Sequence, residues 1–205
     1  MAIKAVDRMG IRRWRYEYAL KELRRAYEAS RESVDNDRKS INKSMDDHLA
    51  TKPEIEDEDE QYNFEMYQDR LIDLYHETDT ALRLIKEGFV VIIYHFWERQ
   101  ALDWYTFNKN KYDYGVAYKK LPVEGYLIDK DGLEKLRKTA NVIKHDSSEL
   151  YGKHKSMFTM DLDEDYKKGA KSGYYPWLLI SDEHMSDFFE TLLMCGPDAK
   201  PKIGL

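Results

Sequence analysis

The sequence predicts an all-α protein. Three observations carry this. Glycine and proline are scarce, at 10 and 5 in 205 residues, so there are few places where a helix must stop. Charged residues make up 35% and apolar residues 42%, the balance of a charge-rich helical bundle. Apolar residues recur at helical spacing over long stretches. The expected architecture is an up-and-down helical bundle with a long N-terminal helix and a C-terminal capping helix. It is read as a single domain over residues 1–205, with a long helix and acidic linker in 1–60, core helices in 61–148, and a loop and last helix in 149–205.

Residues 7–50 read as one long helix with room for one break. Ile11, Trp14, Tyr18, Leu23 and Tyr27 make its first apolar pattern. Beyond Ser30 only Val34, Ile41, Met45 and Leu49 remain apolar, near heptad spacing. So thin a stripe suits a helix that projects from the body or packs on a partner, or a solvated helix end. Pro53 and the acid run through Glu60 follow, as a loop or charged helix start; acids there favour the positive end of a helix. Residues 61–106 give the strongest helical signal. Between Val90 and Trp97 it is apolar on nearly all sides, as a central core helix would be, and Gly88 marks a kink or a close helix crossing.

Residues 107–130 read as a mixed connector, with a short helix over Val116–Leu121 that ends before Pro122. A helix over 131–147 follows, capped by Asp131. Residues 149–175 read as polar loop, and Tyr174–Ile180 as a short extended run. Ser181 caps the last helix, whose buried face is Met185, Phe188, Phe189, Leu192 and Leu193, and Gly196-Pro197 stops it.

The net charge of −6 argues against a general nucleic-acid coat. Charge is uneven, however: Lys135, Arg137, Lys138, Lys144, Lys153 and Lys155 face only Asp146 and Glu149 over 135–155. The lone cysteine, Cys195, allows neither an internal disulfide nor a cysteine-based zinc site. The first residues carry no apolar run of signal-peptide type, and Phe89–Tyr94 is far too short to span a bilayer. The expectation is a cytoplasmic protein.

Familiar catalytic motifs are missing. Gly152-Lys-His-Lys-Ser lacks the upstream glycine of a phosphate-binding loop. There is no His-Glu-x-x-His and no Gly-x-Ser-x-Gly, and His145 and His154 are nine apart with Glu149 the one acid three or four residues from either, so neither metal nor cofactor is expected. What remains is the 133–148 helix. At about 100° per residue, Leu133, Leu136, Ala140 and Ile143 form an apolar stripe. Arg137, Asn141, Lys144, His145 and Ser148 fall beside it. A metal-independent ribonuclease needs an imidazole near neutral pH and cationic or amide donors for the phosphate, and this strip holds both. The same pattern also makes an ordinary amphipathic helix. Glu98, one residue after Trp97 in the central helix, is either an ion-pairing surface residue or a carboxylate that orients a base.

The run Arg-Lys-Thr-Ala-Asn-Val-Ile-Lys-His-Asp, on a late helix of a helical chain, resembles the HEPN superfamily, and Tyr-His-Phe-Trp-Glu-Arg-Gln looks like that family's second core helix. The resemblance covers mainly 61–148. It implies a HEPN-like bundle, homodimerisation with motif helices facing each other, and metal-independent RNA cleavage of the toxin–antitoxin, abortive-infection or phage-defence kind, with an antitoxin or defence partner. Carried across, His145 matches the motif histidine and acts as acid/base, and Asn141 matches the polar residue. The motif arginine falls on Ala140, so Arg137 or Lys144 would supply the cation, and Glu98 would orient a partner. Two other readings stand beside the RNase: a non-catalytic module that binds RNA, nucleotide or protein, which Ala140 favours, and a helical adaptor whose contact arm is the polar stretch 30–50.

Overall fold

In a computed structural model of the chain, residues 8–51, 58–105, 113–159 and 173–198 are described. The chain is all-α, and its order is α1 (Arg8–Ala50), α2 (Glu58–Trp104), α3 (Tyr114–Lys120), β1 (Tyr126–Leu127), α4 (Lys130–His145), α5 (Asp182–Met194) and β2 (Gly196–Pro197), with 3-10 turns at Lys155–Met157 and Tyr175–Trp177. No described helix is long and apolar enough to cross a membrane. The chain divides into two compact units: one holds residues 1–24 and 87–205, the other 25–86. The 52–57 part of the acid run, residues 106–112 of the expected connector, and residues 160–172 of the stretch expected as loop lie outside the described residues.

The 25–86 unit is an antiparallel pair of helices. His48 stacks on Phe64 with ring centroids 3.9 Å apart, and Arg38 sits 4.8 Å over the Tyr75 ring and pairs with Asp79. The thin stripe of 30–50 is therefore partly covered from within the unit: Val34 and Ile41 line a cleft of about 460 Å³ with Leu74 and Ala81. Leu49 remains 47% exposed. Glu58, Asp59 and Glu60 occupy the first turn of α2, where they face the positive helix end as expected.

The other unit carries the larger core. Tyr16 and Leu20 of α1, Val90, Ile93 and Trp97 of α2, Leu133 and Leu136 of α4, and Met185, Phe188 and Phe189 of α5 are all buried. Two expectations change here. The face of α1 that enters the core holds Tyr16 and Leu20, while Ile11, Trp14 and Tyr18 point outward, because both faces of this helix are apolar enough to compete. And α2 is not buried all round: Ile92 is 46% exposed.

The end of α5 is held from α1. Arg13 donates to the carbonyls of Leu193 (2.6 Å) and Cys195 (2.8 Å), and the Tyr16 hydroxyl donates to the carbonyl of Leu192 (2.7 Å). A helix end leaves such carbonyls without their usual partners one turn on; that of Leu192 also accepts from the Cys195 amide at 3.1 Å. Gly196-Pro197 does more than stop the helix: it pairs antiparallel with Tyr126-Leu127. Ser181 does cap α5, in a reciprocal box where Ser181 Oγ accepts from the His184 amide and His184 Nδ1 accepts from the Ser181 amide. Leu193 is only half-buried, and Thr191 takes a place in the buried face.

The close helix crossing expected at Gly88 lies at a different glycine. Gly88 lies within continuous α2, and a Cβ there would meet nothing within 4 Å. The close helix crossing is at Gly132 in α4, where a Cβ would fall 2.7 Å from Thr191 Cγ2 of α5. The cap of α4 also shifts: Asp129, not Asp131, accepts from the Gly132 amide (3.2 Å), and Asp131 sits in the first turn.

Candidate functional site

Helix α4 is covered over most of its circumference. Leu133, Leu136 and Ala140 are buried on one side, and Lys138, Thr139 and Val142 on the other. The arc left open carries Glu134, Arg137, Asn141, Lys144 and His145, at helical spacing. The strip expected from the sequence thus lies along one open side of α4, but Asp131, Lys135 and Ile143 are not buried either, and Ile143 therefore leaves the apolar stripe expected of it.

Its members differ in freedom. His145 and Lys144 are exposed in the last turn, and Asn141 is half-buried one turn earlier. The side chains of Asn141 and His145 make no polar contact among the described residues. The Lys144 ammonium lies 5.4 Å over the ring of Tyr94 in α2. Arg137 is more committed: its guanidinium sits 4.6 Å over the Tyr114 ring and pairs with Glu149 at 3.3 Å. Its Nε is buried and has no hydrogen-bond partner. Tyr114 and Tyr118 form a hydroxyl chain that ends on the Lys130 carbonyl, which ties α3 to the start of α4. Burial, then the bond to Tyr118, pushes the Tyr114 hydroxyl's pKa up, so it stays protonated. Ala140 is fully buried, so a long cation could not occupy the position where the resemblance places arginine.

Glu98 does not join the strip. Its carboxylate accepts a hydrogen bond from His95 Nδ1 at 2.7 Å, one turn back on α2. A carboxylate can only accept, so Nδ1 carries hydrogen and leaves Nε2 as the basic nitrogen of the neutral ring. His95 is the residue that the strip-based reading passed over, although its spacing to Glu98 is visible in the sequence. The pair lines an open groove of about 580 Å³ with Leu23, Ile92, Phe96, Arg99 and Leu102. Tyr94, the ring under Lys144, is one helical turn before Glu98 on α2.

Asp146 fixes the end of the strip. It is left-handed (φ 53°, ψ 39°), and its carboxylate accepts from the amides of Gly173 and Tyr175, the latter at 2.6 Å. The Tyr175 hydroxyl donates in turn to Glu87 at 2.7 Å. Asp146→Ala removes both acceptors and leaves an alanine in the left-handed region. It should lower stability by roughly 2 kcal/mol in a denaturant titration, whereas Asp146→Asn, which tolerates that conformation, should lose less. Equal stability of all three proteins would refute this anchoring role.

Glu134, at the other end of the arc, binds Lys138 (2.8 Å) and Lys153 (3.2 Å). The hydrogen bond from Lys138, then that from Lys153, holds its carboxyl down from 4.5 to about 2. A depressed carboxyl contributes stability that is complete above its unfolded value. The contribution is lost as pH falls from 4.5 towards 2. Glu134→Gln should therefore flatten the acid limb of the melting temperature in that window, while lowering stability near neutrality by stranding the buried Lys138. An acid limb as steep as the wild type's would contradict it.

Among the described residues no cluster of His, Cys, Asp and Glu could hold a metal ion. Cys195 is a buried thiol pushed up to about 12, chiefly by desolvation, and is no nucleophile at neutral pH. The chain matches no protein-family model, no curated protein and no solved structure.

Proposed function

We propose that the chain is a HEPN-like, metal-independent RNase of the toxin or phage-defence kind, with the open strip of α4 as its half-site. The observation that carries this reading is the strip itself: Arg137, Asn141, Lys144 and His145 share one side of α4, half-buried at Arg137 and Asn141 and exposed at Lys144 and His145. Each has a role that suits phosphodiester chemistry. The Asn141 amide and the Lys144 ammonium hold the non-bridging oxygens. Arg137, held by Tyr114 and Glu149, adds positive charge at the edge of the strip. His145 exchanges protons. The 2′-oxygen of RNA attacks phosphorus, the bond from phosphorus to the 5′-oxygen breaks, and a 2′,3′-cyclic phosphate and a 5′-hydroxyl result. One imidazole takes the 2′-hydroxyl proton and another gives a proton to the leaving oxygen, so a homodimer with facing α4 strips supplies both.

The second reading, a non-catalytic RNA- or partner-binding module, is favoured by two features: the buried Ala140 and the engagement of Arg137 by Glu149 and Tyr114. Expression in a bacterial host separates the two. Induction of the wild type should stop growth and fragment total RNA, and His145→Ala at equal protein level should do neither. Growth arrest with intact RNA from both chains would replace the RNase with the binding module.

A further inference from the structure

The basic stretch of α4 is not the most basic part of the chain. Residues Arg8–Arg24 of α1 carry six cations and two acids, in a protein of net charge −6. They also carry a set of large apolar side chains that the core does not use. Ile11, Trp14 and Tyr18 are 42%, 64% and 57% exposed, while Tyr16 and Leu20 on the opposite side are 1% exposed. The Trp14 and Tyr18 rings stack on each other, 5.8 Å apart and 25° from parallel.

The cations are not all spent. Arg13 is committed to Glu17 and the end of α5, Arg24 to Glu190, and Arg12 to the Tyr126 hydroxyl. Arg15 and Lys21 are exposed and form no ion pair among the described residues. At helical spacing they flank the ring pair on the outward side. The Arg13 and Tyr16 contacts to α5 hold this part of α1 in place, so the face is presented on a rigid support.

We propose that this outward face of α1 docks single-stranded RNA, with bases stacking on Trp14 and Tyr18 and the sugar–phosphate chain running past Arg15 and Lys21. This rests on the RNA-directed reading of the α4 strip. Charge decides the occupant. A second copy could cover the apolar rings, but a two-fold pairing of this face would set its cations against themselves. A polyanion that also offers π-faces satisfies both the rings and the cations.

The test is fluorescence anisotropy with a labelled single-stranded 2′-O-methyl oligonucleotide of about 12 nucleotides, which has no 2′-hydroxyl to react. Trp14→Ala/Tyr18→Ala should weaken binding by roughly tenfold or more, with an unchanged far-ultraviolet dichroism spectrum. Arg15→Glu/Lys21→Glu should also weaken it and flatten its salt dependence. Wild-type affinity in both variants overturns the proposal. So does a wild type that binds no oligonucleotide and instead sediments as a dimer that Trp14→Ala/Tyr18→Ala dissociates. The two claims fail separately. Loss of binding in these variants of a protein that never cuts RNA leaves this face standing and removes the nuclease. Unchanged binding beside cleavage that needs His145 does the reverse.

Discussion

Replacing His145 with alanine is expected to reduce RNA cleavage by roughly 100- to 10,000-fold, the usual range for removing a positioned acid or base. The fold should hardly notice. The ring is exposed at the end of α4 and makes no polar contact among the described residues, so the stability change should stay within about 0.5 kcal/mol. Lys144→Ala and Asn141→Ala should cost less, because each removes one donor from a set. His95→Ala offers a sharp comparison. His95 is bonded to Glu98 on α2, beside the strip rather than on it. A drop with His95→Ala equal to that with His145→Ala would move the acid/base role to the α2 pair. The RNase assignment to α4 therefore requires the larger loss at His145.

The second large effect is structural. Gly132→Ala should destabilise the protein by roughly 1–3 kcal/mol. The added methyl enters the space of Thr191 Cγ2 and of the Asp129 carboxylate that caps α4. Overpacking costs about 1–3 kcal/mol and loss of the cap about 1, against about 1 recovered from helix propensity. Thr191→Ala in the same protein removes the obstructing atoms, so the double variant should regain part of the loss. Gly88→Ala is the control of opposite sign. Its methyl meets only open space, so it should raise stability by up to about 1 kcal/mol. Both are read from denaturant midpoints, and a stable Gly132→Ala protein would show that α4 and α5 can separate at no cost.

These two glycines show what the sequence carries and what it does not. Each interrupts a helical pattern, and spacing alone assigns neither a neighbour; only the approach of Thr191, 59 positions away from Gly132, distinguishes them. The long helices, the short α3 and the last helix with its Ser181 cap follow from local periodicity and capping chemistry, and they were legible. The phase of α1 was not. Ile11, Trp14 and Tyr18 on one face and Tyr16, Leu20 and Tyr27 on another are both credible stripes, and only tertiary contact selects the second. The pairing of Tyr126-Leu127 with Gly196-Pro197 is invisible to any local pattern, since two-residue strands far apart leave no period. That Arg137, Asn141, Lys144 and His145 share a side of α4 follows from helical spacing alone, whereas the half-burial of Ile143 depends on what packs against the helix. Glu98 was noticed for its place near the core, but its partner, His95, lay one turn away on the same helix.

The measurement that reaches the central claim most directly is the chemistry of the cut ends. Purified wild-type chain is incubated with single-stranded RNA in excess chelator, and the product termini are read by mass spectrometry. Attack by the 2′-oxygen with His145 as acid/base predicts 2′,3′-cyclic phosphate and 5′-hydroxyl ends, formed without added metal and absent from the His145→Ala reaction. Ends bearing 5′-phosphate and 3′-hydroxyl, or cyclic phosphate formed equally well by a folded His145→Ala protein, would contradict it.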